Sequence, residues 1–433
     1  MKTELRRVLR LRDLIFYGIV MIQPTAPMPL FGVASQEARG HVVTTILAAM
    51  VGMALTAVSY GKLARVYPNA GSAYSYIRGE FGSMAGFVAG WAILLDYIIN
   101  PLICVIWCSA AAVNFLPGIP LSAWKVIFAV VFTVLNLRAI EASSRTNTWM
   151  AIAMSAVVVW TLGSMAKYVF ATGPHTASFF TRPFYDPATF SWGAVSTGTA
   201  LAALTYIGFD NISTLSEETV EPEKNIMRAT VLVCLITGVL AAIEVYAGQL
   251  VWPDFSKYPD VDTAYVYVAG RAGGALLFAA VNATLLVANA GSGMGAQIGA
   301  ARVMFSMGRD LALPKWFGYV HPGTAIPSRN VIVCGVLALG GAWAITYQLG
   351  AELLNFGAFL AFSGVNAACF QRDFLKNKDR TWMNAAMPLL ALAVCLYIWA
   401  SLRWQAKIAG AVWVVAGLIY WMAKRKMAVN ERA

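Results

Sequence analysis

The sequence predicts an all-α integral membrane protein with about twelve transmembrane helices, and three observations carry that prediction. Of 433 residues, 59% are hydrophobic and 12% charged, about half the charge content of a soluble domain, and the mean hydropathy is +0.64. Apolar runs near the ~20 residues needed to cross a ~30 Å hydrocarbon core recur along the whole chain. Lysine and arginine collect on alternate connecting segments.

Taken in order, the chain opens on "MKTELRRVLRLRDLIFYGIV", basic and then apolar. No small-residue cleavage site follows, so the stretch reads as a retained first helix and not a signal peptide. Apolar windows between charged or Pro/Gly-rich breaks place helices near 13–36, 42–62, 83–112, 121–138, 146–170, 191–215, 229–252, 273–305, 330–347, 351–370, 384–402 and 405–423. An even count puts both termini on one side. With the N-terminus cytoplasmic, 24 of the 32 Lys and Arg fall on inner segments and 8 on outer ones, a strong bias under the positive-inside rule. The net charge of +11 is thereby explained without nucleic acid. The basic ends "LRRVLRLR" and "AKRKMAVNER" read as topology determinants facing an anionic leaflet.

Several classes are excluded. The six cysteines (104, 108, 234, 334, 369 and 395) all fall in apolar stretches without CxxC spacing, so neither a metal site nor a disulfide framework is expected. His41, His175 and His321 lie in predicted loops and no HExxH motif exists, which leaves an intramembrane enzyme without a base or metal ligand. No Walker motif or Gly-rich phosphate loop occurs, so the chain is not an ATP-driven pump on its own.

Two predicted helices carry signs of interruption. In helix 1, "QPTAP" (23–27) sets Pro24 and Pro27 three residues apart. They remove two backbone donors and clash with preceding turns. In helix 6, "GFDNIS" (208–213) brings a glycine, an aspartate and an asparagine into an apolar run, and Asp210 and Asn211 favour local hydrogen bonds over helical ones. In lipid, irregular backbone survives only where it lines a cavity or is buried in protein. Helices 1 and 6 run in opposite directions, five spans apart, and such paired breaks mark the substrate site of an inverted-repeat transporter. Unrelated kinks remain the plain alternative.

The segments "SYGKLARVYPNAGSAYSYI" (59–77), "GFVAGWAILLDYIINP" (86–101), "GFDNISTLSEETVEPEKNI" (208–226), "ARVMFSMGRDLALPKWFGYVHP" (301–322) and "NFGAFLAFSGVN" (355–366) span helices 2 to 10. Through them the chain resembles the amino acid–polyamine–organocation (APC) superfamily, in particular its bacterial putrescine importers. The resemblance implies a LeuT-type fold with a 5+5 inverted repeat: 1–170 as the first repeat, 171–370 as the second, and 371–433 as two peripheral helices with a cytoplasmic tail. It implies a secondary transporter in the cell inner membrane whose partners are a small amine or amino acid and membrane lipids. An amino-acid permease or exchanger is the alternative, and a receptor that lost transport a remote one.

Relatives that carry amino acids hold the substrate carboxylate on a Gly-rich break in helix 1. Here Gln23, Thr25, Ala26 and Met28 surround two prolines, which depletes that cradle and favours an amine without a carboxylate. Cationic ends need anions or π faces. Asp96, Asp210 and Glu244 fall inside predicted spans, where a carboxylate costs ~2.5–3.5 kcal/mol on insertion scales. Asp210, with Gly208 and Asn211, either meets substrate or braces the break. Asp96 either meets substrate or pairs with Asn100 or the backbone. Glu244 is either functional or close enough to the outer surface to be solvated. Tyr97, Tyr206, Phe209, Phe356 and Phe359 either supply cation–π contacts of ~0.5–2 kcal/mol or pack.

No cofactor is expected. Some relatives place a lysine in helix 5 in lieu of a sodium ion, and the matching position here is Met154. Ser292 is one candidate sodium-site hydroxyl without an evident second. Proton coupling through Asp96, Asp210 or Glu244 is the preferred reading, with sodium left open. The inner loop 216–229 is expected either to form ion pairs with 61–68 or 308–316 or to be solvated. The outer segment 252–270 is expected to fold over the outer end of the molecule.

Overall fold

The computed structural model describes residues 7–67, 72–138, 144–216, 218–309, 313–322, 326–377 and 381–430. Among them the architecture is entirely helical, apart from one isolated bridge between Leu9 and Thr219. The helices are α1 Leu11–Ile22, α2 Phe31–Glu37, α3 Val42–Val66, α4 Ser72–Phe81, α5 Ser83–Phe115, α6 Leu121–Leu137, α7 Ser144–Thr172 and α8 Ala177–Thr181. After α9 Trp192–Ala202 come two 3-10 turns, Ala203–Tyr206 and Phe209–Leu215. Then follow α10 Pro222–Val251, α11 Ala264–Arg309, α12 Ser328–Ala344, α13 Tyr347–Phe370 (extended by a π turn, Gln371–Lys376), α14 Trp382–Ala400 and α15 Trp404–Asn430. Eight of these are long and apolar enough to cross a membrane, and α6 and α12 are shorter apolar helices. The chain is a multi-pass helical membrane protein.

Both expected interruptions are present. Helix 1 is α1 and α2, parted by turns from Gln23 to Leu30. Helix 6 is α9, ending in the two 3-10 turns on either side of Gly208. Other elements differ from the expectation. α10 begins at Pro222, seven residues before the predicted edge, because proline at the first helical position has no N–H to leave unsatisfied. α11 starts at Ala264 and is broken at Gly274 (φ 75°, ψ −170°), a conformation that only glycine adopts readily. α4 had no apolar window to announce it.

The chain packs as two compact units. The first comprises Met1–Ala89, Ser144–Leu285 and Phe359–Leu402, and the second Gly90–Ser143, Leu286–Ala358 and Arg403–Ala433. In the first, α3 and α10 lie antiparallel and close. Gly61 faces Met227, the Thr230 hydroxyl donates to the Ala57 carbonyl, and Gly238 faces Met50. α1 approaches equally closely: a methyl group at Gly18 would come within 2.6 Å of Ile212 and 2.7 Å of Val233. The segment 252–270 packs on α2, with Phe31 meeting the Tyr258 and Tyr265 rings at 5.8 and 5.3 Å.

In the second unit, Leu94, Ile98, Ala300, Met304 and Cys334 form the core. A polar girdle crosses it: the Asn136 amide donates to Gln297 Oε1 (2.8 Å), and Gln297 Nε2 donates to Thr133 and to the Val331 carbonyl (both 3.1 Å). With no water in the bilayer core, such groups must satisfy one another within the protein. Trp91 and Trp413 stack at 4.7 Å and fasten α15 to α5.

Candidate functional site

In the first unit the two breaks lie side by side. Gly208 (φ 119°) sits where an added methyl group would be 3.6 Å from Ile22 and from the Met21 carbonyl, at the C-terminal end of α1. The helix 1 break is built from turns. Gln23 (φ 71°) donates its N–H to the Ile19 carbonyl, Ala26 donates to Gln23 (3.2 Å) and Met28 to Thr25 (3.1 Å). Pro24 and Pro27 have no N–H. Five of the six positions 23–28 therefore hold no N–H for a ligand. Thr25 and Met28 are buried, whereas Gln23 and Ala26 are half-buried and border the break.

At the second break, the Asn211 N–H donates to the Gly208 carbonyl (3.2 Å), and the Asp210 carboxylate lies against the backbone N–H groups of Gly208 and Asn211. Carbonyls released by the unwinding are taken by neighbouring hydroxyls: Ser213 donates to the Asp210 carbonyl (2.7 Å), Thr214 to Asn211 (2.6 Å) and Ser216 to Ser213 (2.5 Å). An unwound turn at membrane depth is tolerable because these hydroxyls supply the missing donors. Asp210 and Asn211 stay half-buried at the break.

Three expected aromatic partners are packed away in this unit. Phe209 is fully buried, edge-on to Tyr60 (5.5 Å) and tilted against Phe362 (5.3 Å). Phe359 is fully buried beside Phe362 at 6.0 Å. The Tyr206 hydroxyl donates to the Ile46 carbonyl at 2.8 Å. Glu244 is fully buried too, which corrects the reading that places it near enough to the outer surface to be solvated.

In the second unit, Asp96, Tyr97 and Asn100 are half-buried on one stripe of α5, as their i, i+1, i+4 spacing allows. Pro101 interrupts the helix just beyond and cannot donate to the Tyr97 carbonyl one turn back. The Tyr97 ring lies against Gly299 of α11, where a methyl group would be 2.9 Å from it. The Asn100 carbonyl oxygen accepts from Cys104 (3.4 Å) and Ser292 (3.5 Å), which brings the candidate coupling hydroxyl to the same stripe. Phe356, 2% exposed, packs on Gly410 of α15.

Several polar groups lay beyond the sequence reading. Glu352, at the edge of a predicted span, is 1% exposed and paired with Arg403 at 2.6 Å. At one end of the first unit Glu80 accepts from Tyr67 (2.7 Å) and from Lys376 (2.6 Å), while Lys62 meets Asp373 (3.0 Å) and Asn384 (2.9 Å). Charge alternation could have flagged the 371–380 stretch, but only folding shows that it answers Lys62 and Glu80. The expected ion pairs from 216–229 to 61–68 or 308–316 fall in part on Glu217, Pro68 and 310–312, which lie outside the described residues. The loop binds the N-terminal strand-like segment: Val8 and Leu9 donate to the Glu218 carbonyl (2.9 and 3.0 Å) and Val220 to Leu9 (2.8 Å).

Apolar helices and two adjoining helix breaks define a polytopic membrane protein. The chain belongs to the amino acid permease family, whose model matches residues 28–428, within the APC superfamily. It is 35% identical to the low-affinity putrescine importer PlaP of Escherichia coli K12, over 97% of this chain and 94% of the relative. It is 27% identical to the branched-chain amino acid permease BcaP and 26% to the methylthioribose transporter, both of Bacillus subtilis, each over 98% of this chain and 94% of the relative. These relatives are transporters, and the chain is a transport protein and not an enzyme.

Proposed function

We propose that the chain is a secondary active importer of a small, putrescine-like amine, working by proton symport with alternating access. The reading includes twelve membrane crossings in a LeuT-type arrangement, repeats at 1–170 and 171–370 with 371–433 peripheral, both termini cytoplasmic, and residence in a bacterial inner membrane. Its substrate residues in the first unit are Gln23, Ala26 and Asp210 at the breaks.

One observation carries the choice of an amine: the two breaks hold few donors for a carboxylate. Five positions of the first are without an available N–H, and at the second the Asn211 N–H is taken by the Gly208 carbonyl while the Asp210 carboxylate lies against the break. A carboxylated substrate there would meet an anion with few hydrogen-bond donors to offset it. An ammonium would meet an anion and turn carbonyls, at ~1.5–3 kcal/mol for a charge-assisted hydrogen bond. The identity to a putrescine importer supports the same reading. Amino-acid transport is the second reading, favoured by the identity to BcaP.

The test is uptake of radiolabelled putrescine, cadaverine, leucine and arginine into proteoliposomes, with thermal shifts on the same panel. A ligand at 100 times its Kd stabilises by about 2.7 kcal/mol, which is readily seen. Shifts and uptake by amines alone support the proposal. Shifts by α-amino acids alone would show that the breaks hold a carboxylate after all.

A further inference from the structure

Three candidates stand out across the molecule: the Glu80–Lys376 and Lys62–Asp373 cluster, the Glu352–Arg403 pair, and Glu244. The first two are answered charges. Glu244 is different. It lies on α10, is fully buried, and neither carboxylate oxygen meets a hydrogen-bond donor. No ion pair reaches it among the described residues. A carboxylate with neither a protein donor nor a counter-ion about it is stable in such a place only as the neutral acid.

The groups around it offer no substitute for a proton. From α11, Tyr265 is buried and turns its hydroxyl to the Glu244 backbone carbonyl (3.3 Å) and to Met165 of α7 (3.9 Å), not to the carboxylate. On α3, which runs antiparallel to α10, the ionisable Tyr60, Lys62 and Arg65 lie toward the end that meets Met227, whereas Glu244 lies past Gly238, toward the Gln249–Gly40 contact; His41, buried at that end, has its ring nitrogens engaged by the Ala38 carbonyl and the Asp186 N–H. On α7, Lys167 is exposed and Tyr168 is engaged with Arg271. On α1, Asp13 and Tyr17 belong to the other end. On α10 itself, Tyr246 donates to the Phe180 carbonyl. Asp210 reaches the neighbourhood of Cys234, ten residues or about 15 Å along α10 from Glu244.

Asp210 and Glu244 thus divide two roles. Asp210 lies against backbone N–H groups at the break, whereas Glu244 has no such donors. We propose that Glu244 is the proton-binding site of the carrier, loaded from the outer solution and discharged to the inner one. Ionised Glu244 demands water, which the packed α3–α7–α10 arrangement excludes, so gain and loss of the proton would separate the packed conformer from a hydrated one. The proposal rests on the transport reading for its role in coupling, but the protonation itself does not.

Two measurements test it separately. In proteoliposomes at zero membrane potential, one pH unit acid outside drives one coupled proton by a factor of ten. Wild-type protein should then concentrate putrescine up to about tenfold. Glu244→Gln should only equilibrate it, while keeping counterflow exchange, and Asp210→Asn should retain whatever gradient response its weaker uptake allows. Gradient-driven accumulation by Glu244→Gln would overturn the proposal.

Infrared spectra of the protein in lipid need no substrate and no variant. A protonated-carboxyl band that moves on 13C labelling of glutamate, and not of aspartate, supports it. The absence of any glutamate-sensitive band overturns it. If no amine is carried at all, the transport reading fails and the infrared result still decides whether Glu244 holds a proton.

Discussion

Asp210 sets its carboxylate against the N–H groups of Gly208 and Asn211, which offers it two roles, an anion at the break and a brace of that break. The two roles separate by substitution. Asp210→Asn keeps an acceptor for the backbone and removes the charge. It should leave the melting point nearly unchanged while weakening amine binding about 10–100-fold, the worth of ~1.5–3 kcal/mol. Asp210→Ala removes the acceptor as well and should lower the melting point, by about 1–3 kcal/mol of unsatisfied backbone donors. Calorimetry and ligand titration on the two variants check this; equal melting points would show that the brace does not hold the turn. Phe209 is a residue of packing. Truncating it to Ala among Tyr60 and Phe362 should cost about 3–5 kcal/mol, with loss of amine binding only in proportion to unfolded protein.

At the scale of the element, the unwound segment of helix 6 depends on Gly208, whose φ of 119° is costly for any residue with a Cβ. Room exists for a methyl group, since the nearest atoms are 3.6 Å away, so the penalty of Gly208→Ala is conformational. It should amount to about 1–3 kcal/mol and should fall on transport rate as well as on melting point. An unchanged uptake rate would argue that the turn rearranges freely. The segment 252–270 has its own local element. Hydrogen bonds from Lys257 (2.8 Å) and Ser256 hold the Asp254 carboxyl down to about 2. A depressed folded value means that its stabilisation is present above the ordinary value of 3.8 and is lost as pH falls from about 4 toward 2. Hydrogen exchange across 252–263, corrected for intrinsic rates, should stay protected to pH 4 and loosen below it. Asp254→Asn should abolish that pH dependence.

At the scale of the molecule, each compact unit takes segments from both halves of the sequence. The first unit is held at one end by charges. Glu80, with no exposed side-chain surface, answers Lys376, and Lys62 answers Asp373. Glu80→Gln leaves Lys376 without its anion and should lower the melting point by about 1–3 kcal/mol. That is less than the ~3–5 kcal/mol of a wholly buried pair, because Lys376 is 44% exposed. A double cycle with Lys376→Met measures the coupling, and additive effects would show the pair contributes nothing.

What the sequence determined by itself is what composition and local backbone chemistry dictate. A 59% hydrophobic chain must bury itself in lipid. Pro24 with Pro27 must stop helix 1, and "GFDN" must loosen helix 6, because missing donors and short polar side chains act within a turn of themselves. Family membership was legible for the same reason, through stretches of contiguous residues. The tertiary structure decided that Glu244 is left bare: Asp210 finds its backbone N–H neighbours within two residues, whereas only the packing of α10 shows that no partner reaches Glu244. It also placed Phe209, Phe356 and Phe359 in packing, sent the 216–220 loop to Leu9, and paired Glu352 with Arg403. Each of these depends on partners tens to hundreds of residues away, and no periodicity along the chain records which distant face a side chain will meet.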